Sequence, residues 1–117
     1  MIRDPEAFLP LPQLPLQILL ALAAGGPAHG YAVIKRIEEM MPGAQPSSGS
    51  LYLAMVRLKE RGLLAEADPP EHEETDARRR YYRLTPLGKE VTEAESRRLA
   101  KIVSIAESAD LLPRVAE

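Results

Sequence analysis

The sequence predicts a mainly α-helical domain that carries one small β-hairpin and ends in a single long helix. Three observations lead there. Helical patterning, with Gly or Pro at the breaks, fills three separate stretches before Gly62. Two short β-compatible stretches, "LLAEAD" and "ARRRYYRL", flank a proline- and acid-rich segment. Thr85-Pro86 then reads as a helix cap followed by proline at the first helical position, opening a helix that runs to about Leu112.

Taken in order, Pro5, Pro10, Pro12 and Pro15 keep a helix from running through residues 1–15. Phe8, Leu9 and Leu11 are expected to tuck against the body as an extended arm. "LPLQILLALAA" is nearly all apolar and stops at Gly25-Gly26-Pro27, which marks a buried first helix. In "HGYAVIKRIEEMMPG", Tyr31, Ile34, Ile37, Met40 and Met41 recur at helical spacing while Lys35, Arg36, Glu38 and Glu39 take the other face. "QPSSGSLYLAMVRLKERG" has Ser47 or Ser48 as N-cap, Leu51, Met55 and Leu58 as core stripe, and Gly62 at the C-terminal glycine position. Met55 at that register is packing. The hairpin's loop is long and solvated, with a turn at Asp68-Pro69-Pro70. The last helix, at about 28 residues, would be roughly 40 Å long. No internal repeat is present.

This order, with a short Pro/Gly turn between the second and third helices, is that of a winged helix-turn-helix plus a long C-terminal dimerisation helix. It divides the chain into an N-terminal arm (1–13), a winged helix-turn-helix DNA-binding domain (14–84) and a C-terminal dimerisation helix with its tail (85–117). At 117 residues one domain with one modest core is expected.

Composition narrows the function. The absence of cysteine excludes disulfides and thiolate metal sites. The longest apolar run, 14–24, is interrupted by Gln17 and too short for a bilayer, and the N-terminus lacks a signal-peptide pattern. A cytoplasmic protein with no membrane partner is expected. An enzyme is not: there is no cysteine nucleophile, metal cluster or glycine-rich phosphate loop, and serines with a distant histidine lack the orienting partner of a triad. No cofactor or metal is expected. His29 can cap the second helix or contact phosphate. His72, in "PEHEET", offers at most a loose divalent-ion contact, because a structural site wants about four ordered ligands.

Charge layout points to DNA despite a net charge of −2. Residues 66–76 hold six acids and no Lys or Arg, so the rest of the chain carries +4. In the third helix (about 47–61), Ser47, Ser48 and Ser50 sit where free helix N–H groups favour an anion, and their hydroxyls suit phosphates or bases. Tyr52 and Arg57 fall off the core stripe and are placed to face DNA. Plain capping and a solvated charge fit the same residues. Along the returning strand of the wing (64–84), alternation sets Arg78, Arg80 and Tyr82 on one side and Arg79, Tyr81 and Arg83 on the other. Tyr82 and Leu84 are expected inward and Tyr81 at the surface. The arginines would lie along a phosphate backbone or in a minor groove, or pair with Glu71, Glu73, Glu74 and Asp76 across the hairpin. The acidic loop, repelled by phosphates, is expected to weaken non-specific binding.

"ILLALAAGGPAHGYAVIKRIEE", "SSGSLYLAMVRLKERGLL", "RRRYYRLTPLG" and "EAESRRLAKIV" together resemble the PadR family of transcriptional regulators over about residues 14–112. The specific combination is His29-Gly30-Tyr31, residues 49–52, and Tyr82-Arg83-Leu84-Thr85 with Gly88. The resemblance implies a homodimeric winged-helix repressor of the compact branch, with a single C-terminal helix. Its partners would be a second copy and a pseudo-palindromic double-stranded DNA operator. It implies DNA contacts at Tyr31 and Lys35, at Ser47, Ser48, Ser50 and Tyr52, and at Arg78, Arg79 and Arg80. Leu53 departs from the proline that many members carry there. Some compact members hold flat aromatic drugs at the dimer interface on a tryptophan. This chain has no Trp, so the sequence does not support a small-molecule inducer of that kind. Leu99, Ile102, Ile105 and Leu112 instead form the stripe of a helix–helix dimer contact. The alternative reading is a winged-helix module that binds another protein through its acidic wing loop.

Overall fold

Four α-helices surround a small three-stranded antiparallel sheet in the computed structural model, which describes residues 3–69 and 79–113. The helices are α1 (Gln13–Gly25), α2 (Gly30–Met40), α3 (Ser48–Glu60) and α4 (Pro86–Ser108). The strands are β1 (Ala28–His29), β2 (Leu64–Ala67) and β3 (Tyr81–Leu84), in spatial order β1-β3-β2. The expected mainly helical winged helix-turn-helix with a long final helix is the fold observed.

α1 starts directly after Pro12 and admits Pro15 in its first turn, where backbone N–H groups lack intrahelical acceptors anyway. Ile18, Leu19, Ala21 and Leu22 are buried and form the middle of the core. Val33 and Ile37 of α2, Leu51, Met55 and Leu58 of α3, and Val91 of α4 close around them with Leu63, Leu64 and Tyr82. Two details of α2 differ from its sequence pattern. Its buried stripe is Val33 and Ile37, while Tyr31, Met40 and Met41 are exposed. Arg36, expected on the outer face, turns back to donate to the carbonyls of Ala21 (3.2 Å) and Gly26 (2.7 Å), placing its charge on the negative end of α1.

β1 was not legible in the sequence. Two residues are too few for a periodic signal, and they form a strand only because β3 lies beside them, pairing Ala28 with Tyr82 and His29 with Tyr81. β3 is therefore the central strand, with β2 on its other edge. This corrects the expected surface position of Tyr81, which is 3% exposed and packs edge-on against the His29 ring at 5.3 Å.

The junction between wing and α4 explains the "RLTPLG" run. The Thr85 hydroxyl accepts from the Gly88 N–H (3.0 Å), capping α4, and donates to the Gly62 carbonyl (2.6 Å). Gly62 itself lies at φ +82°, the left-handed conformation that ends α3. A Cβ on Gly88 would stand 2.0 Å from the Leu63 carbonyl oxygen, so glycine there lets α4 lie directly on the backbone leaving α3. α4 has 23 residues and ends at Ser108, short of the expected Leu112, with a turn through Asp110 at φ +60°.

The N-terminal arm is not extended throughout: Pro5–Phe8 form a 3₁₀ turn capped by Asp4, while Phe8 and Leu9 pack against the core as expected. It ends in Leu11, which is buried in the core. Among the described residues no helix is long and apolar enough to cross a membrane.

Candidate nucleic-acid interface

The α2–turn–α3 unit and the wing present one face on which most of the anticipated DNA-contacting residues are exposed. At the start of α2, His29 is the N-cap, its Nδ1 accepting from the Ala32 N–H at 3.2 Å. Its Nε2 lies 3.2 Å from the Arg79 guanidinium, the ring tautomer setting whether Nε2 can accept from it. Tyr31 is 61% exposed, stacks near His29, and lies under the Lys35 ammonium at 5.5 Å. Lys35 also sits 3.9 Å from Glu38.

At the start of α3, Ser47 is the N-cap. Its hydroxyl accepts from the Ser50 N–H (3.1 Å) and donates to the Ser50 hydroxyl (2.9 Å). Capping is therefore a real use of Ser47, while Ser48 and Ser50 remain exposed. Tyr52, 63% exposed, stands off the core stripe as the spacing predicts.

Tyr31, Ser48, Tyr52 and Arg80 converge on an open groove of about 390 Å³ whose floor is Leu51, Met55 and Tyr82. Ser47 and Ser50 border a different groove, with Gln13, Gln17 and the 44–46 turn. Arg57 is exposed but lines neither groove. At about 100° per residue it lies well around the helix from Tyr52, so the two do not form one patch. Gly49 and Leu53 lie opposite Leu51 and Leu58 on the helical wheel of α3, and Leu53 is 48% exposed.

The wing's charges are organised by Glu66. Its carboxylate binds Lys59 of α3 (3.0 Å) and Arg80 (2.9 Å). Hydrogen bonding to Lys59, then to Arg80, holds the Glu66 carboxyl below its ordinary value, and Glu66 in turn raises Arg80. The arginine partners expected at Glu71, Glu73, Glu74 and Asp76 lie outside the described residues, as do His72 and Arg78. Arg83 is exposed and donates to the Leu84 carbonyl at 3.3 Å. Among the described residues no group of three or more His, Asp or Glu could hold a metal ion.

Leu99, Ile102, Ile105 and Leu112 lie away from this face. Ile102 is 47%, Ile105 59% and Leu112 46% exposed, while Leu99 is half-buried. Leu112 follows the helix end and does not continue its stripe.

Residues 18–94 match the transcriptional regulator PadR-like family. A transcriptional regulator from Clostridium thermocellum superposes with a TM-score of 0.66 at 22% identity, over 92% of this chain and 97% of that one. A PadR-family regulator from Clostridium difficile gives 0.68 at 24% identity, over 81% and 95%. At those identities both speak for the fold. An uncharacterized 37.1 kDa protein of transposon TN4556 from Streptomyces fradiae is 35% identical over 85 residues, which is 73% of this chain. The match covers 23% of the relative's length.

Proposed function

The chain belongs to the PadR-like family of transcriptional regulators, and on that premise we propose that it is a homodimeric repressor reading a pseudo-palindromic operator. It is a DNA-binding regulator, not an enzyme. In the proposed complex α3 enters the major groove by its N-terminal half, and the wing follows the phosphate backbone or minor groove. One observation carries this: Tyr31, Ser48, Tyr52 and Arg80, from three separate elements, surround one open groove on the exposed side of α2 and α3. Lys35 stands beside it over the Tyr31 ring, while Ser47, Ser50 and Arg57 lie off it and are second-rank contacts in this reading. Arg79, exposed on the wing, and Arg78 before it meet phosphate in this reading.

Residues 14–84 bind DNA in this reading, and 85–117 join the protomers through Ile102 and Ile105, with Leu99 and Leu112 at the margins of the contact. The exposed apolar side chains on α4 support that role. Footprinting on the DNA upstream of the chain's own gene tests the whole reading. The expected result is protection of two half-sites about one helical turn apart, with affinity falling steeply as salt rises. Salt-independent or absent binding, with a monomer in solution, would overturn it.

A further inference from the structure

α4 leaves the wing at a corner where Thr85 and Gly88 are seated on Gly62 and Leu63, and its first turns pack into the core through Val91. A polar attachment to the arm follows at Glu95, seven residues beyond Gly88, roughly 10 Å at about 1.5 Å per residue. There Glu95, inaccessible to solvent, accepts from the Leu11 N–H of the arm at 2.8 Å and from the Arg98 guanidinium. The arm then runs back to the end of α3. The Arg61 guanidinium covers the Phe8 ring at 4.6 Å, and Arg3 donates to the Arg61 carbonyl. Arg61 is the C-cap of α3.

We propose that the arm is a strap fixing the angle between α3 and α4, with Glu95 and Arg61 as positioning residues at its two ends, so that it sets the half-site spacing the dimer accepts. This rests on the DNA-binding dimer argued above. The two anchors are chemically unlike. Glu95 holds a backbone N–H, which any arm sequence supplies, so this end fixes where the chain passes α4. Arg61 holds a ring and a side chain, so this end depends on Phe8 and Arg3. A groove of about 670 Å³ between Leu9 of the arm and Ile102 of α4 places the strap beside the apolar residues assigned to the partner protomer. A change in arm position is therefore felt by the dimer contact and by the recognition helix together.

The test compares the full chain with the double variant Arg3→Ala/Phe8→Ala and with Glu95→Leu, which keeps the side-chain bulk but removes the acceptor that holds the Leu11 N–H. Each is measured for molar mass by light scattering. Each is then titrated with its footprinted operator and with operators carrying one base pair more or fewer between half-sites. The wild type is expected to prefer the native spacing by roughly tenfold, the scale of one wrong base pair. Both variants are expected to stay dimeric and lose most of that preference. A uniform loss of affinity at every spacing, or an unchanged preference, overturns the strap. Amide exchange at Gly62 and Leu63 gives a readout that needs no DNA. Releasing Phe8 should speed exchange there, and unchanged exchange overturns the strap even if operator binding itself fails.

Discussion

Gly88 and Glu95 illustrate how single residues hold this architecture. Gly88→Ala forces a Cβ onto the Leu63 carbonyl at 2.0 Å, against backbone that cannot rotate away. The expected cost is about 1–3 kcal/mol or more, the usual range for overpacking, measured as a lower urea midpoint with an unchanged slope. Glu95 carries the acid dependence. Its carboxyl is held below the ordinary 4.5, first by the Arg98 hydrogen bonds and then, against the opposing effect of burial, by the Leu11 N–H. A lowered folded-state pKa means that the unfolded chain binds more protons between the two values, so stability rises with pH there. The contribution is complete above about pH 5 and is lost as pH falls through the folded value. The wild-type melting temperature should therefore drop more steeply below about pH 4.5 than that of Glu95→Gln. Parallel curves would remove Glu95 from the acid response.

At the scale of elements, the proposed reading divides recognition between α3 and the wing. Arg79→Ala/Arg80→Ala should flatten the slope of log K against log salt by about 2, one for each arginine withdrawn from a phosphate. Tyr52→Ala should lower operator affinity with little change in that slope. Glu66→Gln should do the reverse of the arginine variant, because Lys59 and Arg80 are then released toward phosphate. Fluorescence anisotropy between about 50 and 200 mM salt, the range over which phosphate-bound cations make themselves felt, separates the three. The helices themselves were readable from spacing and caps: Ser47, Thr85 and Gly62 act at the positions their residue types announce. The stripe of α2 holds only in part: Ile37 is buried as its spacing predicts, but Tyr31, Met40 and Met41 are exposed and Val33 is buried instead.

For the whole molecule, the proposed dimer rests on the outer side of α4. Ile105 is 59% exposed and makes no part of the core. Ile105→Glu should convert a dimer to monomer by light scattering, and reduce operator affinity by several orders of magnitude, since two half-sites are then bound independently. Unchanged mass would place the protomer contact elsewhere. Four residues assigned to one interface by spacing alone, Leu99, Ile102, Ile105 and Leu112, differ in setting: Leu99 is half-buried, and Leu112 lies beyond a helix that stops at Ser108.

By itself the sequence determined the order of the four helices and the hairpin, the caps of α3 and α4, the buried face of α3 and the basic character of the wing's return strand. Each of these depends on neighbours within a turn or two of chain. Only the tertiary structure decided that Ala28 and His29 form a strand, that Tyr81 is buried, that Arg36 closes α1, and that Glu95 holds the arm. Every one of those is a pairing across ten to eighty-four residues of sequence. Such a pairing has no periodic trace, because the partner that satisfies a strand edge or a buried carboxylate is supplied by the fold and not by the adjoining chain.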